Sequence, residues 1–521
     1  MAMSEQTTQV TIVGGGPVGM ALAIELGQRD VEVTVVEKER GLHRIPKGQN
    51  LTQRTMEHFR TWGVEEAVRA ARIMPPGFPS AGVNAYGNLM SEYAQPWFRR
   101  STVGQFYFER NERLPQYLTE EVLRQRAEAM GNITILYGQE AGEVTVDGKG
   151  ASVTTQTTII RSDYLVGCDG SHSVVRDGLG IEEDVSDHGR RMVLLVFRSR
   201  QLFEILEERY GEAAFFNVLH PDLEGYWRFL GMVDVGEGWF FHAPVPSDAT
   251  VETLDHLKLL HDTLGAPFDL EVDYIGFWDL RVAIASTYRS GRGFIAGDAA
   301  HSHPPYGGYG INTGFEDVRN LGWKLAAHID GWAGPGLLDS YTEERRPVFV
   351  STARDFIERF IERDRRFITD HHPDRDPEDF TRAWEERGSA GTGVSDYVPH
   401  YQGSPIVVDD GPGTPAAVGM HELTAKPGHH LPPPTGPDAG DLFSRLGRGF
   451  TLLTEESRGE DASRFTDAAR ELGVPLNTVS LTGMAGYGTS TILVRPDHYI
   501  AWVDDGSTLD ASKILATAVG A

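Results

Sequence analysis

The sequence predicts an α/β protein that has a nucleotide-binding domain, an inserted and mostly antiparallel β-sheet, and a small β/α region at the C-terminus. Three observations lead to this class. A β-branched strand over residues 9–13 runs into a glycine-rich turn and a helix. Residues 190–284 alternate strand-like segments with few helices, and a compact strand and helix pattern begins near residue 449. At 521 residues the chain is too long for one core, so we expect two or three domains.

Composition and charge exclude several kinds of partner. The net charge of −27 would repel nucleic acid and an anionic membrane surface. Cys168 is the only cysteine, so no disulfide or thiolate cluster can form within the chain. No apolar run approaches the roughly 18 residues of a membrane span, and the polar N-terminus lacks a signal-peptide pattern. We therefore expect a cytoplasmic protein without a metal site, because histidine spacings typical of zinc sites are absent.

The first motif is a βαβ unit with dinucleotide-binding spacing. Gly14, Gly16 and Gly19 lie between the first strand and a helix that begins at Pro17, and the second strand ends in Glu37. The three glycines would allow a tight turn, close approach of backbone amides to a pyrophosphate, and packing of the helix on the strand. A glutamate at the end of the second strand accepts hydrogen bonds from a ribose diol and repels a 2′-phosphate. The unit is thus predicted to bind FAD or NAD.

Two later motifs also place a carboxylate after a buried strand. Asp169 follows the apolar run 164–168, and Asp298 follows Gly297 at the end of the run 294–296. A Gly/Pro-rich loop then leads into a helical pattern over about 313–329. This arrangement is typical of a phosphorylated cofactor held at the carboxyl edge of an open sheet. Arg44 and Arg54 are further candidates for contacting phosphate.

Taken in order, the motifs resemble those of the single-component FAD-dependent aromatic hydroxylases, the group that includes p-hydroxybenzoate hydroxylase and phenol hydroxylase. The residues that carry the resemblance are Gly14-x-Gly16-x-x-Gly19, Cys168-Asp169-Gly170, Gly297-Asp298-Ala-Ala-His301, Pro304-Pro305, Gly310-Ile-Asn312 and Tyr341-x-x-Glu-Arg-Arg-Pro347. The C-terminal part is similar to the thioredoxin-like domain of the phenol hydroxylase branch. Because it lacks cysteine, the resemblance implies a structural or oligomerisation role, with which a homodimer would be compatible.

The resemblance implies a discontinuous FAD-binding domain (residues 1–75, 105–188 and 285–370) and a substrate-binding β domain (76–104 and 189–284). A linker (371–440) and a thioredoxin-like domain (441–521) would follow. It also implies that Asp298 binds the ribityl chain, that Pro305 lies against the flavin ring, and that Ile311 and Asn312 offer backbone amides to the ring's pyrimidine edge. The full implied FAD set is Gly14, Gly16, Pro17, Gly19, Glu37, Lys38, Arg44, Gln116, Asp169, Gly297, Asp298, Pro305, Gly308, Gly310, Ile311 and Asn312.

The implied reaction is reduction of FAD by NAD(P)H, with NADPH favoured, followed by reaction with O2 to a C4a-hydroperoxide and transfer of one oxygen to an electron-rich aromatic ring. No second GxGxxG follows a strand, so the nicotinamide cofactor has no Rossmann domain of its own. A His, Tyr or Arg should favour the phenolate form of the substrate. The candidates are Tyr107, His220, Tyr226, His242 and Arg281.

Three questions stay open from the residues alone. An FAD-dependent reductase or dehydrogenase could use the same scaffold without activating O2. A non-catalytic FAD-binding regulator could do so without any reaction. For the substrate, a small monocyclic phenol is favoured over a polyketide, although the C-terminal resemblance is compatible with both.

Overall fold

A computed structural model describes residues 3–78, 81–389, 393–408, 411–437, 440, 442–506 and 509–521. Within these residues the strands form two eight-stranded sheets, one four-stranded sheet and two two-stranded sheets. No helix in the described part of the chain is long and apolar enough to cross a membrane.

The first large sheet is mostly parallel. Its strand order is β16-β17-β10-β1-β2-β7, and β8 and β9 extend it as an antiparallel hairpin on β10. The strands are β1 (Ser4–Val13), β2 (Val33–Glu37), β7 (Ile133–Tyr137), β8 (Val144–Val146), β9 (Ala151–Thr154), β10 (Thr158–Gly167), β16 (Arg289–Ser290) and β17 (Gly293–Ile295). The buried strands β1, β2 and β10 run in the same direction, so their carboxyl ends meet at one edge of the sheet.

Helices pack around this sheet and connect it to the rest of the molecule. They are α1 (Pro17–Gly27), α2 (Gln53–Trp62), α3 (Glu65–Ala70), α4 (Gln116–Glu128), α5 (Val174–Gly178) and α8 (Gly310–Ile329). A two-stranded ribbon of β3 (Asn50–Leu51) and β6 (Glu112–Arg113) joins the segments before α2 and α4. Helix α2 ends at Gly63, which adopts a left-handed conformation with φ of 70° and closes the last turn.

The second large sheet is antiparallel except where β4 pairs with β12. Its order is β18-β15-β11-β14-β13-β12-β4-β5. The strands are β4 (Gly82–Tyr86), β5 (Ala94–Trp97), β11 (Glu183–Arg198), β12 (Phe215–Leu219), β13 (Arg228–Met232), β14 (Gly238–Val245), β15 (Glu271–Ala285) and β18 (His301–Ser302).

Side-chain alternation gives this sheet two different faces. One face packs against α6 (Arg200–Tyr210) and α7 (His256–Leu264), with Phe216 of β12 in that core. The neighbouring residue Phe215 points the other way and packs with Tyr306, which belongs to the loop before α8. The sheet therefore turns an aromatic face toward the parallel-sheet domain.

The C-terminal third of the chain packs partly against the antiparallel sheet and partly against α8. It contains α9 (Ser340–Ser351), a π-helical segment (Thr352–Glu358), α10 (Arg359–Asp370), α11 (Pro377–Ser389), β19 (Tyr397–His400), β20 (Ala416–Val418) and α12 (Leu442–Arg445). The four-stranded sheet follows, in the order β22-β21-β23-β24, with β21 (Phe450–Thr454), α13 (Gly459–Leu472), β22 (Leu476–Ser480), β23 (Thr491–Val494), β24 (Ile500–Val503) and α14 (Ala511–Ala518). Its likeness to thioredoxin stays a prediction.

Buried charges attach this last region to α8 and α9. Arg495 donates to both carboxylate oxygens of Glu344, at 2.5 and 2.9 Å, and Lys324 donates to the same carboxylate at 2.7 Å. Trp323 of α8 packs edge-on against Phe450 in a shared core. The C-terminal region is therefore packed into the body of the protein.

The residue pattern also predicts a strand over residues 105–108, which is wrong, and a helix over about 337–364, which the structure contains. Residues 105–108 were expected to be a strand, but Arg100–Phe106 forms a 3-10 helix, in which Phe106 stacks on His421 at 4.9 Å between ring centroids. The aromatic residues that suggested a strand are used for packing there. The helix expected over about 337–364 is present as a continuous helical run of α9, a π-helical segment and α10, with Pro347 inside α9.

Candidate active site

A cleft lies at the carboxyl edge of the parallel sheet, where β1, β2, β10 and β17 end. Its walls come from the N-terminus of α1, the N-terminus of α8 and the loops after the strands. It brings together eleven of the sixteen residues of the predicted FAD set, namely Gly14, Gly16, Pro17, Glu37, Lys38, Gln116, Asp169, Gly297, Asp298, Gly310 and Ile311.

Each glycine of the first motif lacks a side chain for a different structural reason. Gly14 adopts a φ of 101°, and a Cβ there would overlap the carbonyl oxygen of Cys168. A Cβ on Gly19 would overlap the carbonyl oxygen of Gly14, so this glycine brings α1 close to the strand. A Cβ on Gly16 would meet no described atom within 4 Å. Gly16 borders the cleft, and its lack of a side chain leaves room for a ligand against the helix N-terminus.

Glu37 ends β2 and lines the cleft. Its carboxylate accepts hydrogen bonds from the backbone amides of Gly15 at 2.6 Å and Glu39 at 2.7 Å. These bonds hold the carboxylate beside the glycine turn. An ionised carboxylate has further lone pairs that can accept hydrogen bonds from ribose hydroxyls.

Asp169 also borders the cleft, but its carboxylate has structural partners. It accepts hydrogen bonds from Ser173 Oγ at 2.5 Å and from the Val175 amide at 3.2 Å. Burial raises the pKa of Asp169, and these hydrogen bonds oppose the increase. Ser173 itself caps α5 by accepting from the Arg176 amide.

Three buried ionisable side chains, Asp317, His301 and Arg345, support the Gly297-Asp298 loop. Asp317 Oδ2 accepts from the Gly297 amide at 3.0 Å and pairs with His301 Nε2 at 2.7 Å. Arg345 Nε donates to Asp317 Oδ1 at 2.8 Å. Burial alone would raise the pKa of Asp317, but His301 and Arg345 together lower it. The Asp298 side chain is exposed to the cleft. Partial removal from solvent by the surrounding protein raises the pKa of its carboxyl.

Helix α8 directs its N-terminus at the end of the cleft. The helix begins at Gly310, and no described side chain caps it. The first-turn amides, which include Ile311, lack intrahelical acceptors and carry the positive end of the helix dipole. The Asn312 side chain fixes this end: it accepts from the Thr52 amide at 2.9 Å and donates to the Gly308 carbonyl at 2.6 Å.

A second cavity lies between the aromatic face of the antiparallel sheet and the loop 305–308. Lys47 lines both this cavity and the cleft, so the two spaces are neighbours. Six phenylalanine and tryptophan rings of the sheet domain contribute to its wall: Trp97, Phe98, Phe215, Trp227, Phe229 and Phe240. Pro305 and Gly308 of the predicted FAD set lie here rather than in the cleft.

His242 is the one predicted catalytic candidate found in the wall of this second cavity. It is 7% exposed, and its Nδ1 has no hydrogen-bond partner among the described residues. Burial lowers the pKa of His242 to about 4, so the imidazole is neutral at physiological pH.

The other four candidates lie elsewhere. Tyr107 stacks on His430 at 5.2 Å, in a third cavity that also contains Asn312. The His220 side chain accepts from the Asp222 amide at 3.2 Å. Tyr226 is buried beneath the guanidinium of Arg190, and Arg281 lies on β15. None of the four contributes to the wall of either the cleft or the second cavity.

The two arginines proposed for phosphate contact have different surroundings. Arg44 is exposed and does not line the cleft, whereas Lys47 nearby does. Arg54 is buried and donates to Glu57 at 2.9 Å and Glu316 at 3.1 Å. Asp317 and Arg345, which support the loop, were absent from the predicted site set. Arg345 does lie within the sequence motif 341–347, but its partner could not be inferred from sequence.

The chain matches a family described as FAD binding domain over residues 7–355. It is 31% identical to a 4-methyl-5-nitrocatechol 5-monooxygenase of Burkholderia sp, over 98% of this chain and 97% of that protein. It is 32% identical to a putative polyketide hydroxylase of Streptomyces halstedii, over 95% of this chain and 92% of that protein.

Two solved structures superpose on nearly the full length of this chain. The flavin-dependent monooxygenase PieE, in complex with FAD and substrate, superposes with a TM-score of 0.84 at 25% identity, covering 98% of this chain and 99% of that one. Aklavinone-11 hydroxylase with FAD and aklavinone gives a TM-score of 0.77 at 25% identity, covering 99% of each chain.

The chain therefore belongs to the FAD-binding family of single-component flavoprotein monooxygenases. This confirms the predicted resemblance, α/β fold and cofactor, and it decides between the dinucleotides that the first motif left open. The cleft fits FAD: glycine backbone lies at the α1 N-terminus, Glu37 lies at the end of β2, and the α8 N-terminus faces the far end.

Proposed function

We propose that this protein hydroxylates a phenolic or similarly electron-rich aromatic compound, using O2 and NAD(P)H. The observation that carries the proposal is the adjacency of the two spaces. Lys47 lines both a cleft suited to FAD and a cavity walled by aromatic rings, and the loop 305–308 of the cavity wall leads directly to Gly310 in the cleft. A ring held against the sheet would thus lie next to the cofactor.

The aromatic wall has two roles in such a reaction. Rings such as Trp97, Phe229 and Phe240 would bind an aromatic substrate by edge-to-face and stacked contacts. They would also keep water away from the reacting atoms, which favours oxygen transfer over release of H2O2. FAD supplies the redox and oxygen chemistry when it is bound.

The residues around the cleft would bind the cofactor and stabilise its reduced form. The α8 N-terminus would stabilise negative charge on the reduced ring by about 0.3–1 kcal/mol, or somewhat more because the site is partly buried. Asp298 would bind the ribityl chain and Glu37 the adenosine ribose. Gln116, which lines the cleft and donates to Glu120 at 2.7 Å, would lie beside the flavin.

The reductant belongs to the same proposal. A nicotinamide donor is the reductant that the resemblance implies, and the carboxylate of Glu37 disfavours a 2′-phosphate only on a nucleotide bound in the FAD cleft. NADPH and NADH should therefore be compared directly, and we expect NADPH to be the better donor.

The test is NAD(P)H oxidation by the FAD-loaded protein with a panel of phenols, resorcinols, hydroxybenzoates and hydroxypyridines, with H2O2 measured separately. The proposal predicts at least one compound that accelerates NAD(P)H oxidation and yields a product one oxygen atom heavier. A Gly16→Ala variant with weakened FAD binding should lose this stimulation in proportion to its lost flavin. Oxidation that always ends in stoichiometric H2O2, or no oxidation with any compound, would favour the reductase or regulator alternatives.

A further inference from the structure

Arg113 occupies an unusual position in the wall of the aromatic cavity. It ends the short strand β6, immediately before the segment that leads to Gln116, and is 5% exposed. Its guanidinium donates to the Ala214 carbonyl and the Gln49 side chain, both at 3.1 Å, and to the Met232 carbonyl. Its Nε hydrogen has no partner among the described residues.

No carboxylate among the described residues pairs with the positive charge of Arg113. Three other deeply buried arginines each pair with a buried carboxylate: Arg319 with Glu25, Arg345 with Asp317, and Arg495 with Glu344. Arg100 is a further buried arginine without a described carboxylate partner, but its guanidinium lies over the rings of Phe98 and Tyr309 and outside the wall of the aromatic cavity. For Arg113 the described residues provide carbonyl and amide oxygens only. Burial alone lowers the pKa of its guanidinium to about 9. A buried charge without a counter-ion is costly and is seldom retained without a role.

The surroundings of Arg113 indicate what could supply the missing charge. The cavity wall is otherwise aromatic, with Phe215 5.9 Å from the guanidinium carbon. The other ionisable side chains in the wall are Lys47, His242 and Tyr306. Burial keeps His242 neutral by lowering its pKa and keeps Tyr306 neutral by raising its pKa. Among the residues described in this wall, an anion would therefore meet no carboxylate.

We infer that Arg113 is the counter-ion for an anionic oxygen, a phenolate or a ring carboxylate, on the aromatic substrate. The inference rests on the proposed function and gives the substrate a defined chemical class. Arg113 would hold that oxygen against the sheet and orient the ring toward the cofactor side of the cavity. A phenolate held this way is also the more electron-rich form of the ring.

A structural role for Arg113 must be separated from this one, because its bonds to Ala214 and Met232 join β6 to the antiparallel sheet. Both roles predict that Arg113→Met is harmful. Only the counter-ion role predicts that the harm depends on the charge of the ligand. Three probes differ in that respect: 4-nitrophenol, 4-nitrobenzoate and the uncharged methyl ether 4-nitroanisole.

The experiment is equilibrium binding of each probe to the FAD-loaded wild-type protein, Arg113→Met, Arg113→Lys and the control Arg191→Met. Arg191 is an arginine on β11 whose guanidinium lies over Phe277, outside the cavity wall. The ionisation state of bound 4-nitrophenol is read from its visible absorbance. Flavin absorbance and the thermal midpoint confirm that each variant is folded and loaded.

The expected result is that wild-type protein binds 4-nitrophenol as the phenolate, even one pH unit below the probe's own pKa. Arg113→Met should weaken binding of the phenolate, the carboxylate or both by about 10- to 100-fold, while 4-nitroanisole changes by less than 2-fold. Arg113→Lys should retain most of the preference for an anion, and Arg191→Met all of it. Whichever anionic probe is more sensitive identifies the oxygen that Arg113 holds.

Three results would overturn the inference. One is equal loss of all three probes in a folded, loaded Arg113→Met protein, which would indicate a structural role. Another is an unchanged preference for the anion in that variant. The third needs no variant: wild-type protein that binds 4-nitroanisole as well as both anions at every pH. Because no turnover is required, failure of the hydroxylase proposal alone would leave this binding pattern intact.

Discussion

The carboxylate of Asp317 accepts a hydrogen bond from the backbone amide of Gly297 at 3.0 Å while Arg345 holds its other oxygen at 2.8 Å. A residue seven positions into α8 thus fixes the turn that presents Asp298 to the FAD cleft. Arg345 continues the connection to the C-terminal region, since it also donates to Tyr401 at 3.2 Å. The geometry of the cofactor loop therefore depends on charges that are themselves inaccessible to solvent.

Removing one member of this pair should be strongly destabilising. Arg345→Met would leave the Asp317 carboxylate buried without its arginine partner, and we expect the free energy of unfolding to fall by about 3–5 kcal/mol. FAD affinity should also fall, because the loop loses its support. Chemical denaturation with and without FAD measures both. The control Arg289→Met breaks the exposed pair with Asp339 and should cost no more than about 1 kcal/mol; similar losses in the two variants would contradict the account.

Two glycines in the first motif should respond differently to alanine. Gly14→Ala should fail to fold normally, because its Cβ would overlap the Cys168 carbonyl oxygen and its φ of 101° disfavours a side chain. Gly16 has φ of −71° and open space around a Cβ, so Gly16→Ala should fold with nearly unchanged stability. It should nevertheless bind FAD at least 10-fold more weakly, since the methyl projects into the cleft. Normal FAD binding by Gly16→Ala, measured by flavin fluorescence, would argue against a pyrophosphate at this position.

The C-terminal region should not be separable from the rest of the protein. Glu344 is buried between Arg495 and Lys324, and these cations lower the pKa of its carboxyl despite the opposing effect of burial. Arg495→Met should lower the free energy of unfolding by about 3–5 kcal/mol. Arg458→Met, which breaks exposed pairs with Asp461 and Asp504, serves as the matched control. An Arg495→Met protein as stable as this control would show that the region is attached only weakly.

His242 should make the protein less stable in mild acid. Its folded-state pKa of about 4 lies below the unfolded value near 6.5, so the unfolded chain binds the proton more readily. Stability from keeping this group neutral is therefore full above pH 6.5 and declines as the pH falls toward 4, by about 3 kcal/mol. His242→Phe should remove that part of the decline. Denaturation curves at pH 7 and pH 4.5 should converge more closely for His242→Phe than for wild type; an unchanged difference would contradict the depressed pKa.

Eleven residues of the predicted FAD set line the cleft, and they could be selected from the sequence because they obey local rules. Gly14, Gly16 and Glu37 belong to one strand, helix and strand unit, and Asp298 follows a buried strand directly. These signals depend on spacing along the chain, which the sequence displays. The helix at Gly310 was expected for the same reason and begins within three residues of the predicted start.

The aromatic cavity could not be assembled in this way. Arg113 and Phe215 are separated by about a hundred positions, and they meet only because β6 packs on the antiparallel sheet. Tyr107, His220, Tyr226 and Arg281 were chosen by residue type in the right region, a criterion that cannot tell which face of a strand a side chain occupies. The domain boundaries and the roles of individual site residues stay predictions.

The most direct test of the central claim is hydroxylation under 18O2 with an aromatic compound that stimulates NAD(P)H oxidation. The product should carry one 18O atom and be heavier by that atom alone, while the same reaction in H2 18O under ordinary O2 should give unlabelled product. Product oxygen that comes from water, or substrate that is consumed without gaining oxygen from O2, would contradict a monooxygenase.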